Sequence, residues 1–299
     1  MRSFVALAVV GLVAQLVDGS LGMAYGVTSS TLLLATGVAP AAASAAVHVA
    51  EIGTSLVSGA SHAKFGNVDW RTVGILALPG AVGAFAGATL LAGLPGDIAK
   101  PWVAALLLSL GAYVLYRFLV LGGRRPEFRS RPAARFLMPL GLVGGAVDSI
   151  GGGGWGPIGT TTLLSSGRLE PRKVVGSIDT SEFVVAIGGS LGFLLALGSA
   201  GIDWRLAAAL LAGGAVAAPI AAWLVRLLPA RILGVGAGGL IVLTNLKTLG
   251  DSFGLNGTTV AVIAAGWLAL WVRLLVLSVR AERRARAAAA ERTAELLPA

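Results

Sequence analysis

The chain has 299 residues, of which 56% are hydrophobic and only 12% are charged, and its mean hydropathy is +0.85. A soluble domain of this length usually carries about 25% charged residues, so the composition excludes an ordinary soluble protein and predicts a helical membrane protein. The net charge is +9, but the arginines concentrate in a central loop and in the C-terminal tail, which is typical of cytoplasmic segments in membrane proteins rather than of a nucleic-acid interface.

The predicted helices, in chain order, fall into two sets of five and one extra helix. The first half predicts helices at 3–17, 23–37, 41–63, 70–94 and 98–120, and the second half at 136–149, 155–167, 172–198, 204–228 and 231–250. A final predicted helix at 256–279 has no counterpart. Polar landmarks recur in the same order about 130 residues apart, which indicates an internal duplication. These landmarks are Asp18 with Asp148, Glu51 with Glu182, and Asp69-Trp70-Arg71 with Asp203-Trp204-Arg205.

The first two helices of each half are too short to cross a bilayer. About 15 residues at 1.5 Å per residue cover roughly 22 Å, whereas the hydrocarbon core is about 30 Å thick. Polar, glycine-rich breaks separate the two helices of each pair, at residues 18–22 and 148–154. Each pair is therefore predicted to form a re-entrant hairpin, whose irregular backbone is tolerated only inside protein or beside a water-filled cavity.

Each half then crosses the membrane three times, and an odd number of crossings places the two halves in opposite orientations. The predicted fold is an all-α membrane protein with two inverted-topology repeats, each a re-entrant broken-helix hairpin plus three spanning helices, with one extra C-terminal helix. The arginine distribution predicts an external amino terminus and a cytoplasmic carboxy terminus. The predicted units are a first repeat at 1–121, a basic cytoplasmic loop at 122–135, a second repeat at 136–250, an extra helix at 251–280 and a basic cytoplasmic tail at 281–299.

The glycine-rich breaks predict the substrate site. Inverted repeats with broken helices are typical of secondary transporters, whose substrate binds where the broken helices meet. A helix that begins after such a break directs free N–H groups and the positive end of its dipole at the site, which favours an anion. The alternative is that the glycines permit close packing and the hydroxyls bond helix carbonyls. The predicted substrate-binding residues are Gly22, Tyr25, Gly26, Ser29, Ser30, Gly152, Gly153, Gly154, Trp155, Gly156, Thr160 and Thr161.

Ionisable residues on the third helices predict a coupling site. His48 and Glu51 share a helical face, and Asp179 and Glu182 repeat this spacing in the second half. Such groups are costly inside a membrane and usually functional, so a role in proton coupling is predicted for these four, with structural pairing as the alternative. The same residues offer nitrogen and oxygen ligands, so a divalent-cation carrier is a competing hypothesis. A scaffold that transports nothing is the third.

The remaining signals concern catalysis and helix capping. The chain has two histidines and no cysteine, so it offers no catalytic arrangement, no disulfide and no thiolate metal site. Neither enzymatic activity, nor a cofactor, nor a resident metal is therefore predicted. Asp18 and Asp148 are predicted to cap the broken helices. Tyr25 and Trp155 occupy equivalent places in the two halves, where they either line the cavity or pack against a neighbouring helix.

The order of these features resembles the TauE/SafE family of sulfite exporters. A glycine-rich hairpin opens each half, at 17–34 and 147–164, and a polar third helix, a fourth helix rich in Pro and Gly, and a basic central loop follow. The resemblance covers nearly the whole chain. It implies a bacterial-type plasma-membrane carrier for sulfite, sulfoacetate and related sulfur-containing anions, coupled to the proton gradient. The implied partners are the small anion, protons and the lipid bilayer. Exact substrate, direction of transport and formation of a homo-oligomer are left open.

Overall fold

Helices account for the architecture throughout the described part of the chain. The computed structural model describes residues 3–21, 25–120, 132–166, 168–169, 171–224 and 230–295, and these ranges contain no β-strand. Their α-helices are α1 Phe4–Leu21, α2 Tyr25–Ala35, α3 Pro40–Lys64, α4 Trp70–Ala92, α5 Gly96–Val120, α6 Ala134–Gly151, α7 Thr161–Ser166, α8 Pro171–Leu197, α9 Trp204–Leu224, α10 Ala230–Ser252 and α11 Gly257–Glu295. A π-helical turn, Gly156–Thr160, precedes α7.

The helix starts agree with local capping signals in the sequence. The Asp69 carboxylate accepts a hydrogen bond from the Thr72 amide at 2.8 Å and caps α4. Asp203 accepts from the Leu206 amide at 2.9 Å at the start of α9. The repeated Asp-Trp-Arg triplets are therefore N-cap sequences, which satisfy amides that would otherwise lack a partner in the first turn.

The C-terminal helix is longer than predicted. Its predicted end at residue 279 is wrong, because α11 continues to Glu295. The apolar character ends near that point, but the following residues are rich in Ala, Arg and Glu, which are strong helix formers. Two tryptophans attach α11 to α10, since the indole of Trp267 donates to the Gly239 carbonyl at 3.0 Å and that of Trp271 to the Val235 carbonyl at 2.9 Å.

Several helices have the dimensions of membrane spans. Within the described residues, four are both long and apolar enough to cross a bilayer: Trp70–Ala92, Gly96–Val120, Lys173–Leu197 and Gly257–Ala285. Helix α3 has 25 residues, long enough to span, but polar side chains on one face lower its apolarity. The seven predicted crossings and the inverted orientation stay predictions.

Equivalent helices of the two halves make equivalent contacts. Helix α4 packs on α6 and α8, and its counterpart α9 packs on α1 and α3. A glycine allows each of the closest approaches. A Cβ atom on Gly11 would overlap the Leu210 backbone, and a Cβ atom on the equivalent Gly141 would lie 2.7 Å from the carbonyl oxygen of Leu76. The fourth helix of each half therefore packs against the first and third helices of the other half, and the two third helices, α3 and α8, pack against each other.

Candidate functional site

The two hairpin breaks meet inside the protein. After α6 the chain turns through Gly152 at φ 66° and Gly153 at φ 154°, conformations that side chains strongly disfavour. A Cβ atom on Gly26 would lie 2.6 Å from both the Gly152 carbonyl oxygen and the Gly153 Cα atom. The Ser30 hydroxyl donates to the same carbonyl at 2.7 Å. The structure therefore brings the predicted glycines of both halves into backbone contact, while Gly22 lies outside the described residues.

Aspartate carboxylates accept hydrogen bonds from the backbone amides at both breaks. One oxygen of Asp148, Oδ1, accepts hydrogen bonds from the amides of Gly154 at 2.6 Å and Trp155 at 2.9 Å. Asp18 Oδ1 accepts from the Tyr25 amide at 3.1 Å. The predicted capping role of both aspartates is confirmed. In this conformation these N–H groups are consequently not free for an anion, which differs from the sequence-based expectation.

The hydroxyl groups near the breaks divide into bonded and unbonded ones. Thr161 donates to the carbonyls of its own helical turn, as the alternative interpretation expects. Ser30 bonds the opposite hairpin. The hydroxyl oxygens of Thr28 and Ser29 are buried and have no hydrogen-bond partner in the described part of the chain. Thr160 is fully buried in the π-helical turn.

The two equivalent aromatic residues pack against the opposite half. The Trp155 ring lies 2.7 Å from the position that a Cβ atom would take on Gly80 of α4. The Tyr25 ring lies 3.5 Å from the corresponding position on Gly214 of α9, and its hydroxyl donates to the Leu210 carbonyl at 3.3 Å. Each hairpin thus rests on the fourth helix of the other half.

A buried cluster of His48, Glu51 and Asp148 lies against the breaks. One donor atom from each of the three lies within 4.8 Å of the other two. His48 Nε2 is 3.3 Å from Asp148 Oδ2, the oxygen not used for capping. The other ring nitrogen, Nδ1, is 2.9 Å from the Ser44 carbonyl and donates to it in the tautomer that this contact favours. Asp148 therefore connects the cap of the second hairpin to α3 of the first half.

Three of the four carboxylate oxygens in this cluster lack a hydrogen-bond partner among the described residues. Glu51 and Asp148 each have about 1% of their surface exposed. Both oxygens of Glu51, and Asp148 Oδ2, have no hydrogen-bond partner in the described ranges. Glu51 Oε1 lies 2.8 Å from the place a Cβ atom would take on Gly26. Because burying a carboxylate without a partner is costly, Glu51 is the least compensated acid of the cluster.

The other two predicted coupling residues form a separate group. Ser55 donates to Glu182 Oε2 at 3.1 Å, and Ser58 donates to Asp179 Oδ2 at 2.7 Å. His62 Nε2 is 3.4 Å from the same oxygen of Asp179. The three acids and the histidine of the cation hypothesis therefore have different nearest partners, since Glu182 and Asp179 bond serines of α3 whereas His48 contacts Asp148.

Sequence reasoning missed the partners that these residues have. Asp148 was assigned to capping alone, and its contact with His48 was not foreseen. The polar residues of α3 recur with helical periodicity, which is a signal that could have identified Ser55, Ser58 and His62 as members of the same face.

Comparisons with known proteins identify relatives over most of the chain. A family model described as "Sulfite exporter TauE/SafE" matches residues 7–248. The chain is 50% identical over 281 residues to the "Probable membrane transporter protein YtnM" of Bacillus subtilis (strain 168), covering 93% of this chain and 94% of the relative. It is 26% identical over 181 residues to the "Probable membrane transporter protein YdhB" of the same strain, covering 60% and 73%. No solved structure gives a significant match.

Proposed function

The chain belongs to the sulfite exporter TauE/SafE family, and from this membership we propose that it exports small sulfur-containing anions such as sulfite or sulfoacetate. The relatives place it among multi-pass membrane transporters rather than enzymes. The observation that carries the proposal is the meeting of two hairpin breaks, one from each half, at a buried and polar point. A scaffold would not need such a point.

The proposed substrate position lies between the two breaks. Gly26, Gly152 and Gly153 touch there, and the unbonded hydroxyls of Thr28 and Ser29 lie on the adjoining helix. The anion enters when the hairpins separate. It then competes with the Asp148 carboxylate for the amides at the start of the second helix, since both are anions that the helix dipole attracts.

This competition supplies a reason for proton coupling. An anion held about 5 Å from an ionised carboxylate is repelled by about 3 kcal/mol at an effective dielectric constant of about 20. A proton on Glu51 removes that repulsion. Binding of the anion and binding of a proton therefore favour each other. Glu51 is the proposed coupling residue next to the substrate, and His48, Asp179 and Glu182 assist it.

The reciprocal packing supports alternating access. We propose two repeats, at 1–121 and 136–250, with opposite orientations in the plasma membrane, the amino terminus outside and the basic loop at 122–135 in the cytoplasm. Each hairpin rests on the fourth helix of the other repeat through its aromatic ring, so rocking of one repeat against the other opens the breaks to one side at a time. The tail at 281–299 is proposed to be cytoplasmic.

A counterflow assay in proteoliposomes tests the proposed substrate class. Sulfite, sulfoacetate, thiosulfate and sulfate are each loaded inside, and uptake of the labelled anion is measured; Mn²⁺ in the same assay tests the divalent-cation hypothesis. We expect counterflow with at least one of the anions and none with Mn²⁺. Gly153→Ala should abolish it, because a Cβ atom there would overlap the Val27 amide.

Gly74→Ala is the matched control, since nothing lies within 4 Å of its added Cβ atom. Absence of counterflow with all four anions, from protein that is folded, would refute the proposal, and uptake of Mn²⁺ alone would favour the cation carrier.

A further inference from the structure

A continuous stripe of polar side chains follows one face of α3. The stripe consists of His48, Glu51, Ser55, Ser58 and His62, which are spaced three and four residues apart and so share one face of the helix. Helix α8 packs against this face and adds Asp179 and Glu182. These seven residues are here called the polar column.

The contacts within the polar column run along its length. Starting at the end of α3, His62 Nε2 lies 3.4 Å from Asp179 Oδ2, and the Ser58 hydroxyl donates to that oxygen at 2.7 Å. One turn further in, the Ser55 hydroxyl donates to Glu182 Oε2 at 3.1 Å. Glu51 follows one turn beyond Ser55. Each group is therefore within about one helical turn, roughly 5 Å, of the next one.

The inner end of the polar column reaches the second hairpin. His48 Nε2 lies 3.3 Å from Asp148 Oδ2 and 3.0 Å from the Ser149 hydroxyl. Neither Glu51 oxygen has a hydrogen-bond partner in the described ranges, and one of them lies within 4.8 Å of ligand atoms of both His48 and Asp148. The column thus ends on the carboxylate that caps the hairpin helix.

Burial increases from one end of the polar column to the other. The His62 side chain is 26% exposed and that of Asp179 is 12% exposed. Ser55 is 4% exposed, Glu51 1% and His48 0%. The His62 end of the polar column is therefore its most exposed part, Glu182 midway along it is partly buried, and the His48 end is closed against the hairpin break.

We propose that the polar column is the path by which a proton travels between the surface at His62 and the Glu51–Asp148 carboxylates. The proposal rests on the proton-coupled transport proposed above. The His62 imidazole takes up the proton at a ring nitrogen and passes it to the Asp179 carboxylate. The hydroxyls of Ser58 and Ser55 orient the carboxylates of α8. The proton then crosses from Asp179 to Glu182 and from Glu182 to Glu51, either by rotation of the two glutamate side chains or through a single water in each gap.

Other charged groups near the polar column have separate roles. Asp18 caps α2 through the Tyr25 amide, and Asp69 caps α4 through the Thr72 amide. Lys64 is exposed two residues after His62. These groups set the electrostatic potential around the column but do not interrupt it. Since His62 lies in the last turn of α3, we expect the path to connect the coupling site to the side of the membrane at which α3 ends.

The path is tested in proteoliposomes that contain a trapped pH dye. The experiment compares wild type, Asp179→Asn, His62→Ala and Ser181→Ala. Ser181 is the matched control, since it is buried on the same helix but bonds its own backbone, the Ile178 carbonyl, at 2.8 Å. Proton flux driven by an anion gradient is recorded beside anion counterflow at equal pH, which needs no net release of protons.

We expect Asp179→Asn to lower proton flux roughly tenfold or more, as loss of a proton-transfer group does, and to change counterflow by less than about twofold. His62→Ala should lose proton flux and regain it when imidazole is added to the compartment that His62 faces, because the free base replaces the missing side chain. Ser181→Ala should match wild type in both readouts.

Several results would overturn the proposal. Normal proton flux in both Asp179→Asn and His62→Ala would do so. Equal losses of proton flux and counterflow would also do so, and so would a failure of imidazole to restore proton flux in His62→Ala. If Asp179→Asn folds poorly, His62→Ala with and without imidazole decides the question. If wild-type protein shows proton-coupled counterflow and the column variants behave like it, the proton path is refuted and the proposed function stands. Wild-type protein without any anion counterflow removes the proposed function and the path together.

Discussion

Replacing Glu51 by Gln isolates the electrostatic link between anion and proton. The substitution keeps the size and shape of the side chain and removes its charge at every pH. Glu51 Oε1 lies 2.8 Å from the place of an added Cβ atom on Gly26. For the proposed anion between the two breaks we take a separation of about 5 Å from the carboxylate, at which two unit charges repel each other by about 3 kcal/mol at an effective dielectric constant of about 20.

This repulsion sets the size of the expected effect. A difference of about 3 kcal/mol corresponds to roughly 10²-fold in affinity. Wild-type protein should bind the anion more weakly when the Glu51 carboxylate is ionised than when it is protonated. Glu51→Gln should bind it with little pH dependence, and at alkaline pH roughly 10²-fold more tightly than wild type. It should retain counterflow and lose accumulation driven by a pH gradient, because no proton is carried with the anion.

Equilibrium binding of labelled sulfoacetate to purified protein across a pH series measures the affinity, and the sulfonate group of this probe stays ionised throughout. Proteoliposomes measure gradient-driven accumulation. Asp97→Asn on α5 is the control, because Asp97 is an exposed acid far along the chain from the cluster. Unchanged pH dependence of binding in Glu51→Gln, or accumulation that persists in the variant that also carries Glu182→Gln, would refute the reasoning.

Two further predictions concern packing and topology. Gly80→Ala should lower the free energy of unfolding by about 1–3 kcal/mol, since its Cβ atom would lie 2.7 Å from the Trp155 ring. The equivalent Gly214→Ala should lower it less, because its Cβ atom would lie 3.5 Å from the Tyr25 ring. Thermal unfolding in detergent measures both variants, and equal losses of stability would contradict the packing described. A reporter fused after Gly123 should be cytoplasmic, and an external signal would contradict the inverted repeats.

The sequence by itself determined the helices and their interruptions. Helix length, capping residues and glycine act over a few neighbouring residues, so their effects can be predicted from local sequence. The predicted start of the fourth helix at residue 70 coincides with the start of α4 at Trp70, after the cap Asp69. The predicted end of the last helix at residue 279 is wrong. Apolar character ends near that residue, but residues with high helix propensity follow it, and α11 continues to Glu295.

The resemblance to a transporter family was also contained in the sequence. The order of hairpin, polar helix and basic loop led to the TauE/SafE family, and the family model and the relative YtnM confirm that assignment. The substrate-binding and coupling residues stay predictions. Their positions in the chain identified the face of the helix on which each lies, but not the group it touches.

Only the tertiary structure decided those contacts. His48 and Asp148 lie in different halves of the chain, and their approach at 3.3 Å depends on how α3 packs against α6. The free amides expected at the second break are bonded by Asp148. Sequence periodicity specifies the direction in which a side chain points, whereas its partner depends on the packing of distant helices. That packing leaves the Glu51 carboxylate buried beside the joined hairpins, with no hydrogen-bond partner among the residues that the structure describes.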